Sequence, residues 1–150
     1  MNRIHWVYKQ FATLSPEEIY SILHIRSEVF IIEQHCNYLD PDNKDQEAWH
    51  LMGYDDTMLV AYCRILAPGV SYTTASIGRV LTKATHRKIG IGKLLMDKAI
   101  ENTFNTFNAT EITISAQLYL QQFYESFGFV KISDVYYEDE IEHIKMKLKH

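Results

Sequence analysis

A short basic segment that contains two glycines is the strongest chemical signal in the sequence. The segment is Arg87-Lys88-Ile89-Gly90-Ile91-Gly92-Lys93, and it lies between a predicted strand and a predicted helix. Glycines allow a ligand to approach the backbone closely, and the free N–H groups at the start of a helix attract phosphate. The segment therefore predicts a phosphate-binding loop. The alternative is a tight strand-to-helix turn with solvated cations.

The spacing of this segment excludes two common nucleotide-binding motifs. A Walker A loop requires a glycine where this chain has Arg87, and a Ser or Thr after the lysine, where it has Leu94. A dinucleotide-binding fingerprint requires a third glycine at the position of Leu95. The pattern that remains is Arg-x-x-Gly-x-Gly after a strand.

The elements that must position this loop follow from hydrophobic spacing. Alternating apolar residues from Ile4 to Tyr8 predict a first strand, and Ser15-Pro16-Glu17-Glu18 predicts a capped helix whose apolar positions continue to Phe30. A polar, acidic loop is predicted over 34–47. Further strands are predicted within 49–83, over 111–116 and in the tail, and further helices over 92–104 and 118–126. The pattern favours one α/β (α+β) domain spanning 1–150, with a mixed sheet and helices packed on it.

Composition restricts the classes of function. Fifteen Lys and Arg against nineteen Asp and Glu give a net charge of −4, which disfavours generic nucleic-acid binding. The two cysteines, Cys36 and Cys63, are too few for a disulfide framework, and no segment resembles a signal peptide or a membrane span. We therefore expect a cytoplasmic protein with no membrane partner. No Cys or His pair has metal-ligand spacing, so no metal is predicted.

A second block of residues joins the glycine loop in a family resemblance. Ala116-Gln117 is followed by Phe123-Tyr124-Glu125-Ser126-Phe127-Gly128-Phe129, and with the Arg87 loop this resembles the GNAT (Gcn5-related) N-acetyltransferases. Three further segments resemble the ElaA-type branch of that family and extend the similarity over nearly the whole chain: Arg26-x-x-Val29-Phe30-x-x-Glu33-Gln34-x-Cys36-x-Tyr38, Ile77-Gly78-Arg79-Val80 and Glu138-Asp139-x-Ile141-x-His143-Ile144-x-Met146. The chain departs from the family pattern where Gln117 replaces the usual Asn, and where Thr82-Lys83-Ala84 replaces a frequent Val-x-Pro.

The resemblance implies a mixed, mostly antiparallel sheet that splays between its fourth and fifth strands, with about four helices and acetyl-CoA in the gap. It places the backbone of Val80, Leu81 and Thr82 along the pantetheine arm, with the Gln117 amide able to hydrogen-bond that arm. It assigns the pyrophosphate to the loop residues Arg87, Lys88, Ile89, Gly90, Ile91, Gly92 and Lys93. The acceptor would be a primary amine of a small molecule or peptide, and exposed strand edges in such folds permit a homodimer.

Acetyl transfer to an amine requires a proton donor and a base. The leaving thiolate has a conjugate-acid pKa of about 8.5, so a phenol with a pKa of about 10 can protonate it in part. The resemblance makes Tyr124 the general acid beside the cofactor, the alternative being a core aromatic residue. Glu33, His50 and His143 are candidate bases or acceptor-site residues that could act directly or through water. For Glu33 the alternative is an ion pair with Arg26 or Arg79, and for His143 a structural hydrogen bond.

The acidic loop raises the separate question of a cation site. Asp40, Asp42 and Asp45 do not match an EF-hand, because its required Gly and Glu positions hold Asp45 and Leu51. We therefore expect these aspartates to form a solvated loop or a cation-attracting rim beside the acceptor site.

Two other functions remain open at this point. A rival within the fold is an acyl-homoserine-lactone synthase, which shares an Arg-x-x-Val-Phe type of segment near its start. A rival of another class is a non-catalytic acyl-CoA sensor or interaction module. Turnover across a panel of amines distinguishes an enzyme from a sensor.

Overall fold

The structure, a computed structural model, describes residues 3–150 and consists of a mixed sheet with helices on both faces. The strands are β1 (Ile4–Gln10), β2 (Trp49–Asp55), β3 (Met58–Leu66), β4 (Ala75–Thr82), β5 (Glu111–Gln117), β6 (Val130–Lys131), β7 (Tyr136–Glu138) and β8 (Ile141–Lys149). The α-helices are α1 (Pro16–Arg26), α2 (Ile91–Phe107) and α3 (Gln121–Glu125). The described residues thus form three α-helices, where the resemblance implied about four. Within residues 3–150, no helix combines the length and the hydrophobicity needed to cross a bilayer.

The strand order is β1-β2-β3-β4-β5-β8-β6, and β7 also pairs with β8. All neighbouring strands are antiparallel except β4 and β5, which are parallel. That parallel pairing is short, because only Ala75 with Ile112 and Ser76 with Thr113 are in register. Beyond these residues β4 and β5 separate. The predicted mixed, mostly antiparallel sheet with a splay between the fourth and fifth strands is therefore confirmed.

Helix α1 begins at the predicted capping box. The Glu18 backbone N–H donates to Ser15 Oγ (3.1 Å), and the Ser15 N–H donates to the Glu18 carboxylate (2.8 Å). Because both contacts lie within one turn, they follow from the local sequence alone. After Arg26 the chain continues helically over Ser27–Glu33, but with the wider turns of a π-helix. We call Ser27–Glu33 the π segment.

The two faces of the sheet form two hydrophobic cores, because successive strand residues point to opposite sides. Helices α2 and α3 cover one face, where Leu51, Cys63, Leu95, Ile114 and Ile144 are buried together. Helix α1 covers the other face, where its apolar side chains pack on β2, β3 and β4; among them are Ile22, Ile25, Met52, Tyr62 and Leu81. The gap between β4 and β5 lies between these two cores.

Candidate active site

The open edge of β4 is the first component of the site. The predicted pantetheine-binding residues Val80, Leu81 and Thr82 lie in the part of β4 that has no partner on β5. The register with β3 also shifts here: Tyr62 pairs with Leu81, but Arg64 pairs with Gly78. Two residues, Arg79 and Val80, therefore face one on β3, which is a β-bulge, and Arg79 has a positive φ of 52°.

The glycine loop forms the start of α2, as predicted. Gly90 precedes the helix with a φ of 89°, a conformation that favours glycine. The N–H groups of the first helical turn have no intrahelical acceptor, and that turn contains no acidic side chain and no side-chain cap. A Cβ on Gly92 would lie 3.8 Å from Thr82 Cγ2 and 3.9 Å from Phe123 Cζ. The loop thus sits against the end of β4 and against α3.

The π segment closes over the loop between β4 and α2 through two ion pairs. Glu33 Oε1 lies 2.6 Å from Arg87 Nη2, and Glu28 Oε2 lies 2.8 Å from Lys83 Nζ. Arg87 also donates from Nε and Nη2 to the Thr82 carbonyl oxygen, at 3.1 and 2.9 Å. Glu33 is therefore paired, but with the loop arginine and not with Arg26 or Arg79, the two partners that the alternative interpretation of the sequence considered.

On the other side of the gap, the end of β5 meets β8. Gln117 lies opposite His143 in the β5–β8 register, and its side-chain amide donates to Gln34 Oε1 (3.2 Å) from the end of the π segment. His143 Nδ1 lies 2.7 Å from the Ile141 carbonyl oxygen, and its ring stacks on Tyr136. The structure thus brings Gln117, His143 and the Glu33–Gln34 pair to the same gap as the loop.

Tyr124 lies on α3, in the core that α2 and α3 cover. Its ring makes edge contacts with Phe123 and Phe129, and the side chain is buried. Burial raises the pKa of Tyr124, with a smaller contribution from Cys63. The phenol therefore keeps its proton at neutral pH, as a general acid must. Both the catalytic role and the core-aromatic alternative are compatible with this placement.

His50 lies on β2, two strands away from the open edge, and both of its ring nitrogens are engaged. Nε2 is 3.0 Å from the Asp45 carbonyl oxygen, which can only accept, so Nε2 carries the proton. The Tyr62 hydroxyl then donates to Nδ1 at 2.7 Å. Burial lowers the pKa of His50, so the ring is neutral. The lone pair of His50 already accepts the Tyr62 hydrogen bond, and the ring is buried away from the gap. This environment is typical of a structural histidine.

The aspartates of the acidic loop are neither freely solvated nor available as a cation site. Asp40 and Asp45 are buried, and with Asp42 they pair with three arginines that come from α1, β3 and β4: Arg26, Arg64 and Arg79. Arg26 is fully buried; its Nε lies 2.6 Å from Asp40 Oδ2 and its Nη1 lies 2.7 Å from Asp45 Oδ1. For these aspartates, the expectation of a solvated loop or a cation-attracting rim is therefore wrong. We call these six residues the Arg–Asp network.

The pKa values within this network follow from the pairing. Burial alone would raise the pKa of Asp42, but Arg64 donates to both of its oxygens (2.7 and 2.9 Å) and holds that pKa well below its usual range. The pKa of Asp45 is lowered in the same way, because Arg26 and Arg64 outweigh burial. The network also reaches the site, since Arg79 at the β4 bulge donates to the Asp40 carbonyl oxygen (2.9 Å).

Comparison with known proteins identifies the class to which this fold and site belong. The family model for the acetyltransferase (GNAT) domain matches residues 11–150. The chain therefore belongs to the GNAT acetyltransferase family. Within that family it is of the ElaA type, as its relatives show.

Three relatives illustrate the similarity. Protein ElaA of Escherichia coli is 37% identical over 145 residues, which cover 95% of each chain, and its crystal structure superposes with a TM-score of 0.92. A UPF0039 protein of Synechocystis is 40% identical over 95% of this chain and 94% of its own. The crystal structure of an acyl-CoA N-acyltransferase from Pseudomonas aeruginosa is 37% identical, has a TM-score of 0.92, and is matched over 97% of this chain and 99% of its own.

Proposed function

We propose that the protein is an N-acetyltransferase that transfers the acetyl group of acetyl-CoA to a primary amine of a small molecule or peptide. The observation that carries the proposal is the unpaired edge of β4, which runs directly to the start of α2. An extended pantetheine arm can add to such an edge as an extra strand. A diphosphate can then meet the free N–H groups of the first turn of α2.

The charges around the loop suit a diphosphate. The first turn of α2 has no carboxylate, and Arg87 and Lys88 lie before it. The helix dipole adds partial positive charge at the same point. Gly92 has no side chain, so the phosphate oxygens can approach the backbone between Thr82 and Phe123. In this arrangement Arg87 would exchange its contact with Glu33 for one with the diphosphate.

The chemistry requires an attacking amine, a polarised thioester and a protonated leaving group. The bulge at Arg79 leaves main-chain groups without a partner on β3, which suits them to hydrogen-bond the thioester carbonyl oxygen. Tyr124 would donate its proton to the departing sulfur, a contribution of about 10²–10⁴-fold for one positioned acid. The relatives support an acyl-CoA donor, since one of them is described as an acyl-CoA N-acyltransferase.

Calorimetric titration with coenzyme A, followed by a thiol-release assay with acetyl-CoA and a panel of amines, tests the proposal. We expect binding, and turnover with at least one amine. Binding without turnover across small amines, polyamines and peptides would favour the sensor instead. Absence of binding by a folded sample would refute the acyl-CoA site altogether.

A Gly92→Ala variant separates the cofactor site from the fold. The new Cβ makes ordinary contacts with Thr82 and Phe123, and alanine favours a helix by about 1 kcal/mol over glycine. We therefore expect unchanged or higher thermal stability together with weaker coenzyme A binding, because the methyl group lies on the path of the diphosphate. Asn102→Ala, farther along α2, is the matched control and should leave the affinity unchanged. Equal affinities for both variants would contradict a diphosphate at Gly92.

A further inference from the structure

The protonation pattern of His143 is fixed by its surroundings. Nδ1 lies 2.7 Å from the Ile141 carbonyl oxygen, which only accepts hydrogen bonds, so Nδ1 carries the proton in the neutral ring. Nε2 therefore holds the lone pair. No hydrogen bond to Nε2 exists among residues 3–150, although the side chain is nine-tenths buried. An imidazole with a free lone pair can accept a proton from a group that reaches it.

A carboxylate lies beside that lone pair. Glu138 Oε2 is 3.9 Å from His143 Nε2, which is too far for a direct hydrogen bond and close enough for one ammonium nitrogen to contact both. Glu138 Oε1 accepts from the Ser115 hydroxyl (2.9 Å), and the Tyr136 hydroxyl also bonds to Ser115. The Glu138 carboxylate is thus oriented toward β5 while half of its side chain remains exposed.

This pair faces the gap in the sheet. Ser115 and Gln117 alternate with Ile114 and Ala116, which point into the core under α2, so both polar residues point to the opposite face. Continuing the parallel register from Ala75–Ile112 along the strands would place Ser115 across from Gly78, at the edge of the β4 bulge. The His143–Glu138 pair therefore lies across β5 from the place where the thioester would lie, and Glu138 reaches toward it through Ser115.

We propose that His143 and Glu138 bind the ammonium group of the acceptor, and that His143 Nε2 removes its first proton; this rests on the proposed function. The neutral amine then attacks the thioester carbonyl carbon, and a C–N bond forms as the C–S bond breaks. Tyr124 protonates the thiolate, and the second proton lost by the nitrogen restores the phenol. The proton on His143 passes to solvent, so one proton is released per turnover.

The charges around the pair indicate the class of acceptor. Asp139 and Glu140 follow Glu138 at the turn, and the Cys36 Sγ lies 3.5 Å from the Asp139 carbonyl oxygen. Burial raises the pKa of the Cys36 thiol, and the negative charges of Asp139 and Glu140 add to that shift. The ring of Tyr72 already holds the Lys145 ammonium group at 5.6 Å. Carboxylates and aromatic faces attract cations and repel carboxylates. The acceptor is therefore an amine with further positive charge, such as a diamine, and not an amino acid.

Several groups from neighbouring strands face the His143 ring. From β7 these are the Glu138 carboxylate and the Tyr136 ring, and from β5 the neutral Gln117. Lys145 lies two residues further along β8 on the same side, and its ammonium group lies over Tyr72. Of these groups, the Glu138 carboxylate and the Tyr136 ring are the two whose contacts with the imidazole are direct.

Steady-state kinetics with 1,4-diaminobutane and 4-aminobutyrate as acceptors test the proposal. In His143→Asn the amide can retain the bond to the Ile141 carbonyl but cannot act as a base. We expect kcat to fall by about 10²–10⁴-fold, the loss of rate at low pH to disappear, and coenzyme A affinity to stay unchanged. Glu138→Gln should raise KM for the diamine by about tenfold with little change in kcat.

A matched control is Glu142→Gln, which removes one carboxylate from the other side of β8 and should leave KM unchanged. Wild-type turnover with normal pH dependence in His143→Asn would overturn the base assignment while the proposed function survives. Equal use of the two acceptors would overturn the cationic class. If the wild type shows no turnover, the proposed function fails. The tautomer is tested independently by nitrogen NMR, where a proton on Nε2 instead of Nδ1 would refute the geometry.

Discussion

Replacement of Asp45 by Asn provides a direct test of the Arg–Asp network. Asp45 Oδ1 accepts from Arg26 Nη1 at 2.7 Å and from Arg64 Nη1 at 3.0 Å, and Asp45 is buried. Breaking a buried ion pair by removing one partner costs about 3–5 kcal/mol. In this variant Arg26 retains its ion pair with Asp40, and Arg64 retains its ion pair with Asp42. We therefore expect a loss of stability at the lower end of that range, about 3 kcal/mol. For a chain of this size that corresponds to a fall in Tm of about 6–12 °C.

Urea and thermal unfolding of the wild type and Asp45→Asn measure this effect. The urea midpoint should fall with an unchanged m-value, because the surface exposed on unfolding stays the same. Asp97→Asn is the matched control, since Asp97 pairs with Lys93 at 3.1 Å and both side chains are more than half exposed. Exposed pairs contribute about 0–1 kcal/mol. A loss below about 1 kcal/mol in Asp45→Asn would show that the network does not hold the acidic loop in place.

Three further predictions concern pH, the cofactor and the chemical step. The free energy of unfolding should fall as pH drops below about 6.5, because the unfolded chain protonates His50 while burial lowers the pKa of His50 in the folded state. It should fall further below about pH 4, because the unfolded chain then protonates Asp42 and Asp45, whose pKa values the arginines hold low in the folded state. Urea titrations at several pH values measure both slopes, and a His50→Gln variant with an unchanged slope between pH 7 and 5 would contradict the first. Glu33→Gln should strengthen coenzyme A binding by about two- to tenfold, because it frees Arg87 and removes a negative charge beside the loop. Weaker binding in calorimetry would argue that Glu33 contacts the ligand instead. Tyr124→Phe should retain the fold and coenzyme A affinity but lower turnover, and unchanged turnover would exclude it as the general acid.

Local features of the fold were predictable from the sequence. The start of α1 depends on contacts between Ser15 and Glu18, three residues apart, and the sequence predicts them correctly. The glycine loop was predictable for the same reason, since Gly90 and the helix after it are adjacent. The splayed sheet was predictable only through the family resemblance, because strand order depends on contacts between distant parts of the chain.

The Arg–Asp network was not predictable in this way. The partners of Arg26 are 14 and 19 residues away, and those of Arg64 are 19 and 22 residues away, so a polar loop in the sequence gives no indication that its carboxylates are buried. The pairing of His143 with Glu138 likewise depends on β7 and β5 both flanking β8. The bulge at Arg79 was not predicted either: Gly78 precedes it within the strand, but the residue that takes the positive φ is the arginine, a residue type that rarely adopts that conformation.

The wide turns of the π segment determine which side chains reach the cofactor loop. In a π-helix each hydrogen bond spans five residues, so residues five apart lie on the same side of the helix. Glu28 and Glu33 have this spacing, and both contact the stretch from Lys83 to Arg87. In an ordinary α-helix the second carboxylate would be rotated well away from the first. Deleting one residue from Ser27–Glu33 would therefore uncouple Glu33 from Arg87 without removing either side chain, and chain length here sets access to the cofactor as much as residue identity does.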